Sequence, residues 1–131
     1  MVLVVVRWYI KKDKKDEFKN LWINDMDPKE KGGLFREFFS TPVRDKNEKY
    51  HTLDFESSYY TTYINVGLWK DLKSFDSAIG SFIPDRKKSA TQIGKEIIEV
   101  FDFEFKLRER IVMKVEEDRN GRWILPNPSV S

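Results

Sequence analysis

Tyr63-Ile64-Asn65-Val66-Gly67-Leu68-Trp69-Lys70-Asp71-Leu72-Lys73-Ser74-Phe75 changes period half-way, and that change decides the fold. Up to Trp69 the residues are largely β-branched and aromatic, the side chains that suit a pleated, half-buried surface. Beyond Lys70 and Asp71, Leu72, Phe75, Ile79 and Phe82 share one face of a helix. The spacing predicts a strand over 59–69 running almost directly into a helix that Pro84 breaks.

Working outward, residues 2–10 read as a first strand with both faces buried. A Lys-rich stretch follows, then Phe18, Leu21, Trp22 and Met26 at helical spacing, with Asp13 as the expected N-cap and Gly32-Gly33 ending the connection. A Phe-rich second strand is expected over 34–43, closed near Pro42. The polar run 44–58 is expected to be an extended arm or loop, long enough to suggest a functional or interface role. After Pro84, Asp85 can cap a short helix carrying Ala90, Ile93 and Ile97. The alternation Phe101, Phe103, Phe105, Leu107 marks a fourth strand, expected to continue through Ile111, Met113 and Val115. Asn120-Gly121 predicts a hairpin that returns 123–125 as a fifth strand, and Pro126-Asn127-Pro128 opens a 126–131 tail.

Strand, helix, strand, strand, helix, strand is the split βαβ order. The expected class is α+β: a ferredoxin-like βαββαβ unit with a four-stranded antiparallel sheet, both helices on one face, and an extra C-terminal hairpin. The 131 residues are expected to form a single domain, 1–131.

Composition narrows the partners. Ten Phe, five Tyr and four Trp argue for order. Twenty-four basic against 22 acidic residues give a net charge of +2, too even for a dedicated nucleic-acid binder. The chain has no cysteine and a single histidine, His51, which excludes disulfides and multi-histidine zinc sites. No metal is expected. The apolar start Val2–Val6 is too short for a signal peptide and no run is long enough to cross a bilayer, so the cytoplasm and no membrane contact are expected.

The pleat divides each strand into two sets of side chains. With the helices on the more apolar set, the other face is expected to carry Arg7, Tyr9, Tyr63, Asn65, Trp69, Asp102, Glu104 and either Arg36 or Glu37. So aromatic a face would be a large patch on a monomer. Two copies packed face to face would remove it, forming a homodimer that encloses a cavity lined by the polar members. The other solution is a monomer whose 44–58 arm folds over the sheet.

The segment from Tyr63 to Phe75 resembles the third-strand-to-second-helix stretch of the antibiotic biosynthesis monooxygenase-like proteins, a family of the dimeric α/β barrel superfamily. The likeness takes in the first strand and helix and the Gly33-Leu34-Phe35-Arg36 start of the second strand, about three quarters of the chain. It implies a homodimer with a ligand pocket, and cofactor-independent oxygenation of phenolic or polyketide-like molecules among other activities. One departure matters. Many members carry a histidine on or just after the second helix, and residues 75–88 contain none. The haem-degrading branch also needs a Trp in that helix, so that reading is set aside.

Candidate site residues follow from charge and chemistry. Arg7 interrupts an apolar strand, where a charge must be paired. It can anchor a substrate carboxylate or phenolate, or form a salt bridge to Glu37, Asp102 or Glu104. Any of those three carboxylates, if desolvated, can act as a base. Asn65 offers an amide to an oxyanion or to dioxygen, or satisfies a neighbouring tyrosine or water. Tyr9, Tyr63 and Trp69 can stack on an aromatic ligand or simply pack. His51 is a possible proton shuttle or a solvated loop histidine.

The expected function is a small cofactor-independent enzyme, of monooxygenase, cyclase or isomerase type. It would act on a hydrophobic aromatic or polyketide-like small molecule in the cavity. The alternatives are a non-catalytic ligand-binding or regulatory homodimer of the same fold, and a structural dimer with a filled cavity.

Overall fold

The computed structural model describes residues 1–24, 26–28, 31–55, 59–80 and 109–126. Strand β1 (Val2–Lys11) leads through a 3₁₀ turn (Lys12–Lys14) into helix α1 (Lys15–Asn24). Strands β2 (Leu34–Ser40) and β3 (Tyr60–Trp69), helix α2 (Leu72–Ala78) and strand β4 (Glu109–Lys114) follow. Asp13 lies inside the 3₁₀ turn instead of capping α1, because the chain begins to coil directly from Lys11. Helix α2 is capped by Asp71, which accepts a 2.7 Å hydrogen bond from the Ser74 amide. The Ser74 side chain first, and then its amide, hold the Asp71 carboxyl below its ordinary range by hydrogen bonding.

The sheet is antiparallel throughout, in the order β2-β3-β1-β4. Two long strands, β1 and β3, pair over ten residues in the centre. The core lies on one side of them. Val2, Val4, Val6, Trp8 and Ile10 from β1 meet Phe18 of α1, Phe75 of α2, and Tyr63 and Trp69 of β3. Phe39 packs on this cluster 4.7 Å from Tyr63, ring to ring, and 4.9 Å from Trp22. Burying one such aromatic is worth on the order of 2–3 kcal/mol, so this cluster dominates the packing energy.

Two expectations about the sheet change. The larger concerns the faces. Val4 stands opposite Gly67, Val6 opposite Asn65 and Trp8 opposite Tyr63, so the odd-numbered residues of β3 face the helices. Ile64, Val66 and Leu68, expected under the helices, lie on the other face. A one-residue difference in register exchanges every side chain between faces, and polarity alone chose the wrong set here. The second change is the C-terminal hairpin. Residues 123–125 form no strand, and Trp123 and Ile124 are almost fully exposed. An isolated two-stranded ribbon gains little in water without a surface to lie on. The expected fourth strand is described in part. Its described part is Glu109–Lys114, and the expected residues 98–108, like the capped helix after Pro84, lie outside the described residues.

Candidate functional site

The β-bulge in β2 builds the site. Leu34 pairs with Trp69 and faces the helices, and regular alternation would bring Arg36 next onto that face. The register instead shifts between Leu34 and Arg36, so that Arg36 pairs with Leu68 and Glu37 with Gly67. The extra residue, Phe35, swings outward and Glu37 turns inward. A carboxylate thus enters the helix side of the sheet where an arginine would otherwise have pointed.

Glu37 meets Asn65 there. The Asn65 Nδ2 amide donates to Glu37 Oε1 over 2.7 Å. Asn65 Oδ1 is buried without a partner among the described residues. Burial pushes the Glu37 carboxyl above its ordinary value; the bond from Asn65 opposes this, and the charges of Asp27 and Lys31 act in opposite directions. The pair lies in a cavity of about 400 Å³ between the sheet and the helices. Its walls include Trp8, Trp22, Trp69, Phe75 and Met26, and Arg110 of β4 reaches its edge. An apolar enclosure with a few convergent polar groups is the usual form of a small-molecule site.

Gly67 forms part of the floor. A Cβ there would come within 3.2 Å of the Trp69 indole nitrogen and 3.8 Å of Glu37 Cγ. Without it, the strand backbone is bare between the carboxylate and the indole, a common role for glycine inside a strand. Tyr63 sits deeper, in the core. Burial first, then the charge of Asp16, raises its phenol pKa, so it remains a protonated donor.

The sheet separates the expected site residues into two groups. Glu37, Asn65, Trp69 and Tyr63 are on the helix side. Arg7 and Tyr9 are on the opposite face, so an anchoring Arg7 beside Asn65 is not formed, and no Arg7–Glu37 salt bridge exists. Arg7 instead donates 2.9 Å to the Asp54 carbonyl, lies over the rings of Tyr9 and Phe55, and approaches Glu109 at 4.0 Å. His51 lies with Asp54 and Phe55 in the strap 43–55: its ring contacts the Val43 carbonyl at 2.7 Å and Phe55 edge-on. It is nowhere near the cavity, so it cannot shuttle protons for Glu37. Asp102 and Glu104 lie outside the described residues.

Sequence reading missed Gly67, Arg110, Trp8 and Trp22 as cavity residues. The interior glycine of β3 was the one available signal. No group of three or more His, Cys, Asp or Glu suited to a metal ion occurs among the described residues. No helix among them is long and apolar enough to cross a membrane.

No family model matches the chain, and no curated protein matches it. Solved structures do. A proposed antibiotic biosynthesis monooxygenase from Deinococcus radiodurans superposes with a TM-score of 0.53 at 11% sequence identity, covering 92% of this chain and 97% of that one. At that identity the likeness establishes the ferredoxin-like α+β fold, in agreement with the resemblance carried by Tyr63–Phe75.

Proposed function

We propose that the chain is a small cofactor-independent cytoplasmic enzyme, of monooxygenase, cyclase or isomerase type, working as a homodimer on a hydrophobic aromatic or polyketide-like molecule. The observation that carries this reading is the Glu37–Asn65 pair, desolvated at the floor of a tryptophan-lined cavity. A flat aromatic substrate fits against Gly67 between the indoles. A hydroxyl on its edge donates to Glu37, whose Oε1 is held by the Asn65 amide. Ionised Glu37 then accepts that proton, which leaves an electron-rich phenolate held in a water-poor site.

Such a phenolate can cyclise or isomerise with no further reagent. In the oxygenase case it meets dioxygen: a ring CH₂ becomes C=O, supplying the four electrons that reduce O₂ to one inserted oxygen and one water. Glu37 takes the first proton in every version. Since the active form is the carboxylate and its pKa is raised, turnover should rise with pH through that raised value. The fold similarity to a proposed monooxygenase is consistent with this chemistry.

A binding-only role is favoured by one observation. Glu37 is the only carboxylate among the described cavity residues, and no histidine or cysteine joins it. The test is to expose the protein to a mixed metabolite extract, identify what co-purifies, and follow its conversion and any oxygen uptake. The enzyme reading expects turnover in the wild type and bound, unconverted ligand in Glu37→Gln. Retention without turnover in both would establish a binder, and no retention at all would overturn both readings.

A further inference from the structure

The strand register lays the cavity out as a trough running across the sheet. Val6 pairs with Asn65 on one side and Arg110 on the other, and Val4 likewise with Gly67 and Val112. Glu37 extends the Val4 row, since it pairs with Gly67. These positions all face the helices. Trp69 stands one step along the strands beyond Gly67, and Trp8 one step beyond Val6, so an indole walls each side. The floor between them is low: Gly67 has no side chain, and Val4 and Val6 are short and buried.

The two charged groups of the trough stand at its ends, Glu37 on the β2 edge of the sheet and Arg110 on the β4 edge. Three strand spacings and one two-residue step put their backbones about 15 Å apart. The charges felt at the Glu37 carboxyl come from Asp27 and Lys31, in keeping with an Arg110 that stands a ligand's length away. Among the described cavity residues Arg110 is the one cation. A guanidinium is always charged, and its planar fork of donors matches the two oxygens of a carboxylate.

We propose that Arg110 is a specificity-determining residue of the cavity, its guanidinium taking a carboxylate of the ligand while Glu37 takes the hydroxyl at the other end. The ligand class is then a hydroxylated aromatic carboxylic acid, its ring lying on Gly67, Val4 and Val6 between the two indoles. This rests on the reading of the cavity given above and narrows its occupant. One guanidinium balances one negative charge, which suits a carboxylate better than a doubly charged phosphate ester. The span matters as well, because a ligand carboxylate held next to Glu37 would set two like charges together. At the far end of the trough it meets a cation instead, through hydrogen bonds that are stronger than neutral ones.

The test is isothermal titration calorimetry on the full chain, with para-hydroxycinnamate and its methyl ester as probes. They share a ring and a hydroxyl and differ in the carboxylate. Wild type should bind the acid roughly ten- to a hundredfold more tightly than the ester. Arg110→Gln should bring the acid down to the level of the ester and leave the ester unchanged. Arg110→Lys, which keeps the charge but loses the fork, should keep part of the preference. An ester that binds wild type as tightly as the acid, or a preference that survives Arg110→Gln, would overturn the role of Arg110 and leave the cavity reading standing. Binding of neither probe would overturn this inference alone, since the reading above falls only when the metabolite extract leaves nothing bound.

Discussion

On the helix side of the sheet, Val4, Val6 and Trp8 are sealed under α1 and α2, yet this side holds a carboxylate, an amide and a cavity. On the other side, Arg7 is held by the strap 43–55, and Leu3 and Val5 are only half-buried. Glu37 and Asn65 thus lie under the helices, while the aliphatic Ile64, Val66 and Leu68 of β3 face outward. A cavity that takes a ligand needs polar groups where the ligand can reach them. Local polarity and burial therefore conflict, as they often do at functional sites.

The largest test of this contrast is a pair of truncations. Trp69→Ala, on the helix side, should cost about 3–5 kcal/mol in chemical denaturation, because it empties the centre of the cluster. Leu68→Ala, its half-buried neighbour on the open face, should cost about a third of that. Equal losses would break the comparison.

Gly33→Ala comes next. A Cβ there would run into the Ser74 side chain at the start of α2, where the Gly33 carbonyl also accepts 2.7 Å from the Lys70 amide. The helix must shift, and a loss of about 1–3 kcal/mol is expected, with the strap unchanged.

Glu37→Gln should act in the other direction. Because burial raises the carboxyl pKa, the folded chain holds that proton more tightly than the unfolded one. Wild-type stability is therefore undiminished below the ordinary value of 4.5 and falls as pH rises through the raised value. The glutamine variant should be the more stable at neutral pH and match wild type in acid, read from denaturation midpoints across pH. A variant no more stable at neutral pH would mean that Glu37 is well solvated.

Smallest in global effect is Arg7→Ala. It removes the bond to Asp54 and the contact with Phe55 but leaves the cavity intact. Limited proteolysis within 43–55 should quicken several-fold while the unfolding midpoint moves little. Unchanged proteolysis would show that the strap is held without Arg7.

Much of this was legible in the residues. Tyr63 to Phe75 announces strand and helix through its change of period, and the structure has β3 and α2 in those places. Phe18, Leu21 and Trp22 gave α1 in the same way. Glu37 and Asn65 stood out as candidates because polar residues inside apolar strands need a reason. Their grouping with Arg7 failed because polarity suggested that the polar members share a face, whereas pairing register decides it.

The sequence by itself therefore determined the elements, their order and the short list of polar groups, since period and turn chemistry are local properties of the chain. Only the tertiary structure decided which of those groups meet. The register of β1 against β3 sent Asn65 and Gly67 under the helices, and the bulge at Phe35 sent Glu37 after them in place of Arg36. Both are relations between strands distant in sequence, fixed by how all four strands and both helices pack at once. No single stretch of residues encodes them.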